Sequence, residues 1–176
     1  MKVRHLAGRF TRALWPGPPR PDDVAWVESV LTPGGFVQFR RQPNHDQRHA
    51  IGVARDVQIR LAGTEYADDP RWLSAALLHD IGKLDSRLGV YGRVVATVSA
   101  SVAGRDSAEA WSTSSGFTRR VGLYLRHADL GADRIRLAGE PEEAARWSAA
   151  HHEPSTWADL PIPEPVVVAL DAADND

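Results

Sequence analysis

Trp72-Leu73-Ser74-Ala75-Ala76-Leu77-Leu78-His79-Asp80-Ile81-Gly82-Lys83 is the stretch that decides the fold. Asp68-Asp69-Pro70 ahead of it is a helix-opening signal, because proline suits the first helical turn, where its missing N–H costs nothing. Leu73, Ala76, Leu77 and Ile81 then recur at helical spacing, and Gly82 marks the stop. A helix this apolar belongs inside a protein, yet it ends in an imidazole, a carboxylate and an ammonium around one glycine. Neighbours on a helix point about 100° apart, since a turn holds ~3.6 residues. His79 and Asp80 therefore reach one cluster only at a helix end, where Gly82 lets the chain turn away. A carboxylate has two oxygens, so Asp80 can bridge two cations.

The segments around this helix are helical too. After the stiff connector Trp15 to Pro21, Asp22 or Asp23 caps a helix running to about Leu31, and Pro33-Gly34-Gly35 breaks it. Asn44 to Leu61 carries Ile51, Ala54, Val57 and Leu61 at helical spacing and stops before Gly63. Val90 to Val102 is rich in β-branched residues but has no partner strand, so it reads as a helix. Ser112 to Gly116 reads as a loop and Phe117 to Arg126 as a helix. A turn near Gly131 leads to a short helix ending at Gly139, followed by Glu142 to His152 behind Pro141. Pro161 to Pro165 is extended, and Val166 to Asp174 is the last helix. The expected fold is all-α: a single-domain bundle of about seven helices over residues 21–176, preceded by a basic segment, residues 1–20.

Composition narrows the function classes. Against 23 acidic residues stand 21 Lys and Arg, for a net charge of -2. No broad basic field exists to hold a nucleic-acid backbone, so nucleic acid is not an expected partner. The exception is the N-terminal stretch with Lys2, Arg4, Arg9, Arg12 and Arg20 and no acid, which reads as a solvated amphipathic helix. Without any cysteine, disulfides and thiolate metal sites are excluded. No apolar run approaches the roughly 18 residues of a membrane span, and no apolar signal core opens the chain, so a cytoplasmic protein without membrane contact is expected.

Chemistry points to the histidines. His49, His79, His127 and His151 each fall in or at the end of a different helical segment, and a bundle can bring such side chains to one point. Imidazole plus carboxylate without sulfur suits divalent Mn, Fe, Zn, Ni or Co, and Mg. His5 and His45 read as surface residues, and Glu153 as a solvated acid at a helix end. Lys83 follows Asp80 by three residues and is placed either to complement a helix end or to contact a phosphate. Residues 84–116 are expected to shape the pocket mouth, though Arg87, Arg93 and Arg105 name no ligand.

These residues, in this order, resemble the HD superfamily of metal-dependent phosphohydrolases. Arg48-His49-Ala50-Ile51-Gly52-Val53-Ala54 is similar to that family's first histidine helix, and His79-Asp80-Ile81-Gly82-Lys83 to its name-giving motif. Tyr124 to Ala132, with His127, resembles the additional histidine segment of the dinuclear members. His151-His152-Glu153 resembles their next histidine pair, and Ala172-Ala173-Asp174 their closing aspartate helix. Each match is short, and their order is what makes the set specific.

The resemblance implies that His49, His79, Asp80 and Asp174 hold one ion. His127 with one or both of His151 and His152 would hold a second, with Asp80 bridging. Asp171, one turn before Asp174, is a usable alternative. The Gly-Tyr-Pro signature of the cyclic-dinucleotide phosphodiesterases is absent, for Pro154-Ser155-Thr156-Trp157 stands after the histidine pair. The expected activity is hydrolysis of a small nucleotide or related phosphate ester, monoester or diester. Water between two divalent ions ionises near neutral pH and attacks phosphorus. Asp80 and Lys83 are the candidate catalytic residues, with Lys83, Arg48 and Arg126 as the candidate contacts to substrate. Two other activities fit the same ligand set: oxygen activation at a di-iron centre, as in some HD-fold proteins, and nucleotide sensing without turnover.

Overall fold

The computed structural model describes residues 17–103 and 107–175, so His5 and most of the basic N-terminal segment lie outside the described residues. Eleven α-helices and one 3-10 helix, Pro154–Asp159, make up the described residues, and no strand occurs among them. The helices are α1 (Pro21–Val30), α2 (Pro33–Arg41), α3 (Asn44–Arg60), α4 (Pro70–Leu78), α5 (Lys83–Ser86) and α6 (Val90–Ala103). Then follow α7 (Ser107–Ser112), α8 (Gly116–Leu125), α9 (His127–Leu137), α10 (Glu142–Ala150) and α11 (Glu164–Asn175). None of the described helices is long and apolar enough to cross a membrane.

α4 is the hub. Asp69 caps it, accepting from the Arg71 N–H at 2.9 Å, and every residue from Trp72 to Leu78 is buried. A helix apolar on all sides can be stable only with neighbours on all sides. α3 supplies Ala50, Val53, Ala54 and Val57, α10 supplies Ala144, Ala145 and Trp147, and α11 supplies Val166, Ala169 and Leu170. The one hydroxyl inside α4, Ser74, donates to Glu140 Oε2 at 2.6 Å, while Glu140 Oε1 accepts from the Thr32 N–H and hydroxyl, both at 2.8 Å. That buried carboxylate, with its hydrogen bonds made, ties α2 and the turn before α10 to the hub. A second, smaller core of Leu88, Ala96 and Val121, flanked by Trp111, Tyr124 and Leu125, holds α6 and α8 together.

The helix count exceeds seven because short helices carry little periodicity. α5 and α7, with 4 and 6 residues, fall in stretches that the sequence leaves unassigned. Pro33-Gly34-Gly35 does not simply end a helix; it begins α2, with Pro33 in the first turn and Thr32 accepting from the Gly35 N–H at 3.0 Å. The two glycines answer to packing, since a Cβ on Gly34 would lie 2.3 Å from the Ala138 carbonyl and one on Gly35 1.8 Å from Glu140 Oε1. Gly131 is not a turn but the middle of α9, where a Cβ would meet Ser148 Oγ at 2.6 Å. Asp22 and Asp23 sit in the first turn of α1 rather than at its cap, because Pro21 already opens it after Arg20. α10 stops at Ala150, two residues short of the expected end, leaving His151 and His152 in the turn beyond it.

Candidate metal centre

Helix ends deliver the polar residues to one region. His49 comes from α3, His79 and Asp80 from the turn after α4, His127 from the first position of α9, His151 and His152 from the turn after α10, and Asp174 from α11. They form two groups, each with ligand atoms within 4.8 Å of one another: His49, His79 and Asp174, and Asp80, His127, His151 and His152. In the first, Asp174 Oδ1 lies 3.1 Å from His49 Nε2 and 3.5 Å from His79 Nε2. In the second, Asp80 Oδ1 lies 3.4 Å from His127 Nε2 and 3.7 Å from His151 Nε2, and His152 Nε2 lies 3.3 Å from His127 Nε2. The other oxygen, Asp80 Oδ2, lies 3.4 Å from His79 Nε2 and accepts from the Lys83 ammonium. Asp80 thus turns one oxygen to each group.

The rings are held in one orientation. His79, His127 and His151 each donate Nδ1–H to the carbonyl three residues earlier, of Ala76, Tyr124 and Ser148, at 2.9, 2.7 and 2.7 Å. A carbonyl oxygen only accepts, so the proton belongs on Nδ1, and each Nε2 is turned inward with its lone pair available to a cation. Buried polar atoms ordinarily find partners, but His79 Nε2, Asp80 Oδ1 and His151 Nε2 are buried without a hydrogen bond in the structure. Nitrogen and oxygen donors converging in that state suit a divalent ion of borderline or hard character.

Charge tells the same story. Burial alone would lower the His79 pKa, but the carboxylates of Asp80 and Asp174 outweigh it and push it up to about 10. Burial opposes ionisation of Asp80 and Asp174, yet Lys83 and His79 hold Asp80, and His79 and His49 hold Asp174, well below the usual carboxylate range. Burial and the field of Lys83 lower His127, while burial with His151 and His127 brings His152 down to about 3. The centre keeps both carboxylates ionised and favours neutral His127 and His152, as a cation requires of its ligands, whereas at His79 the two carboxylates favour the charged ring, so a cation bound there displaces a proton.

All of the expected ligands therefore meet. Asp171 does not join them: its carboxylate accepts from the Asn175 amide at 2.8 Å, so Asp174 is the aspartate at the centre. Lys83 lies half-buried against Asp80. The structure does not bring the other two expected substrate contacts to the clusters in the same way. Arg48 donates to the Gly17 carbonyl, and Arg126 donates to Ser112 Oγ at 3.1 Å on α7. His45, expected on the surface, is half-buried with its Nε2 covered, one helical turn before His49. That i, i+4 spacing was the available signal. Tyr124, stacked on His127 with ring centroids 5.5 Å apart, was signalled by its i, i+3 spacing. Arg93 pairs with Asp46, three residues before His49, across 47 positions that no local pattern reports.

The HD domain family model matches residues 47–176, which include every residue of both clusters. No curated protein and no solved structure matches the chain. A match over this much of the chain, on a helical bundle with these residues converging, means that the chain belongs to the HD domain family, whose members bind divalent metals and are mostly metal-dependent hydrolases.

Proposed function

We propose that the chain is a metal-dependent phosphohydrolase acting on a small nucleotide or related phosphate ester, with two divalent ions of the Mn, Fe, Mg, Zn, Ni or Co class. One observation carries the reading: Asp80 faces a separate cluster with each of its oxygens, and the Lys83 ammonium lies against one of them. His49, His79 and Asp174 would hold one ion and His127, His151 and His152 the other, with Asp80 common to both. When bound, such ions supply Lewis acidity toward phosphoryl oxygens and lower the pKa of water in the site.

The protein's own groups do the rest. The backbone carbonyls behind His79, His127 and His151 fix each ring, so no reorganisation is needed as charge develops. Lys83, whose pKa stays raised because the Asp80 carboxylate outweighs its burial, remains a cation across the working range and offsets charge on the transferring phosphoryl group. No side-chain nucleophile is required, which agrees with a site built of imidazoles and carboxylates. The net charge of -2 supports a small phosphorylated substrate rather than a nucleic acid.

The test is metal analysis of the purified protein joined to a screen of phosphorylated metabolites and a chromogenic phosphate ester, with each metal added back. About two equivalents of metal and metal-dependent release of phosphate or of an alcohol are expected. A loaded protein that hydrolyses none of these compounds, or that takes up oxygen with iron bound and releases no phosphate, rejects the proposal.

A further inference from the structure

A further set of polar side chains lies one helical turn before His49 on α3. His45 and Asp46 stand in the first turn of α3. From α6, Arg93 reaches across to place Nη1 and Nη2 on the two oxygens of Asp46 at 2.7 and 2.6 Å, while its Nε donates to the Leu88 carbonyl at 3.2 Å. A guanidinium has five N–H donors, and these bonds among the described residues use three of them. Two donors remain, one on each terminal nitrogen, in the plane that Asp46 fixes. Tyr124, besides stacking on His127, packs against the second core of Leu88, Ala96 and Val121, the core that carries the helix of Arg93. His45 Nε2 is buried with no hydrogen bond, although Asp46 Oδ1 lies 3.2 Å away.

An arrangement of this kind is poorly explained by stability alone. Even a partly buried ion pair loses hydration on both partners, and apolar residues of the same volume commonly do as well. What the pair provides is orientation: a guanidinium held flat and bidentate by a carboxylate, with donors left over, is preorganised for a phosphoryl group. Its helix packs mainly on the small second core around Leu88, Ala96 and Val121. The ion pair ties Arg93 to α3 at Asp46, one helical turn before His49.

We propose that Arg93, oriented by Asp46 next to His45, forms a second anion subsite beside the metal clusters. The site would then select substrates carrying two phosphoryl groups, diphosphates over monophosphates. The first phosphoryl position rests on the phosphohydrolase reading above; the second rests on the side chains around Arg93.

The probes are inorganic phosphate and methylenediphosphonate, a diphosphate that cannot be hydrolysed, titrated calorimetrically into the metal-loaded protein. Charge-assisted hydrogen bonds from Arg93 predict that the diphosphonate binds about tenfold or more tighter than phosphate. Arg93→Gln should bring the two affinities together while leaving metal content and phosphate affinity unchanged. Because that variant leaves Asp46 without its partner, the double variant R93Q/D46N keeps the shape without the charge pair and should lose the preference equally. The proposal is overturned if the wild type shows no preference, if the preference survives in R93Q/D46N, or if Arg93→Gln weakens both probes alike. Turnover of the chromogenic ester, followed in parallel, judges the hydrolase reading separately. Preference without turnover keeps the subsite and removes the hydrolase, and turnover without preference does the reverse.

Discussion

At the scale of the residue, the centre turns on Asp80. Seven side chains in two groups could be two unrelated clusters, but one carboxylate belongs to both, by Oδ2 toward His79 and Oδ1 toward His127 and His151. Substitutions should therefore differ in how many ions they release. His49→Ala removes a donor from one group and His127→Ala from the other, so each should cost about one equivalent of metal. Asp80→Asn keeps the volume but removes the charge and one acceptor oxygen. It should lower both equivalents and cut any hydrolysis by at least about 100-fold, since altering even the outer partners of metal ligands costs about 10–100-fold. Elemental analysis of the three purified variants decides the matter. If Asp80→Asn loses no more metal than His49→Ala, Asp80 does not bridge.

At the scale of the element, glycine and caps decide how helix ends meet. The sequence suggests that Gly82 follows the His-Asp pair to let the chain turn away, but its φ of -65° is open to any residue. Its need is room: a Cβ there would lie 2.0 Å from the His127 carbonyl and 2.6 Å from the Gly131 N–H nitrogen, both backbone. α9 presses its N-terminal part against Gly82, two residues after Asp80, and that contact bears on the distance between the two clusters. Gly82→Ala should thus destabilise by about 1–3 kcal/mol, the usual cost of overpacking, and weaken metal binding as well, which chemical denaturation and metal titration would register together. A substitution that left both unchanged would mean that α9 is free to shift. At the other end of α4, Asp69→Ala removes a cap and should cost about 1 kcal/mol at neutral pH. Hydrogen bonds from Arg71 hold the Asp69 pKa below its ordinary 3.8. A depressed folded-state pKa means that the contribution is present above pH ~4 and is lost as pH falls through the folded value. The gap between wild type and Asp69→Ala in urea melts should narrow below pH ~4 and stay constant from pH 5 to 8.

At the scale of the whole molecule, the pattern along the chain and the contacts between its parts were legible to different degrees. The histidines and aspartates of the centre could be read because each lies at or near a helix end with its own local signature, such as His79-Asp80 or Pro141 before α10. The polar ties between distant segments could not: Ser74 meets Glu140 across 66 positions and Asp46 meets Arg93 across 47, and neither residue of a pair announces the other. For the same reason Arg48 and Arg126 were legible as cations but not as partners of Gly17 and Ser112. The candidate metal ligands themselves span α3, the end of α4, the start of α9, the end of α10, and α11, which are the walls of the main core. Any ion that binds this folded set and not the unfolded chain must stabilise the bundle, by about 2.7 kcal/mol when its concentration is 100 times its dissociation constant. For a chain of this length each kcal/mol moves the midpoint by about 2–4 °C, so one ion should raise it by roughly 5–10 °C. A thermal melt with excess chelator, repeated after metal is restored, should show that shift and its return. His49→Ala and His127→Ala should each retain part of the shift and Asp80→Asn very little. A protein whose midpoint ignores both chelator and metal does not use this centre to hold a cation, because tying the walls of a core together at a shared ion without raising its stability is thermodynamically excluded.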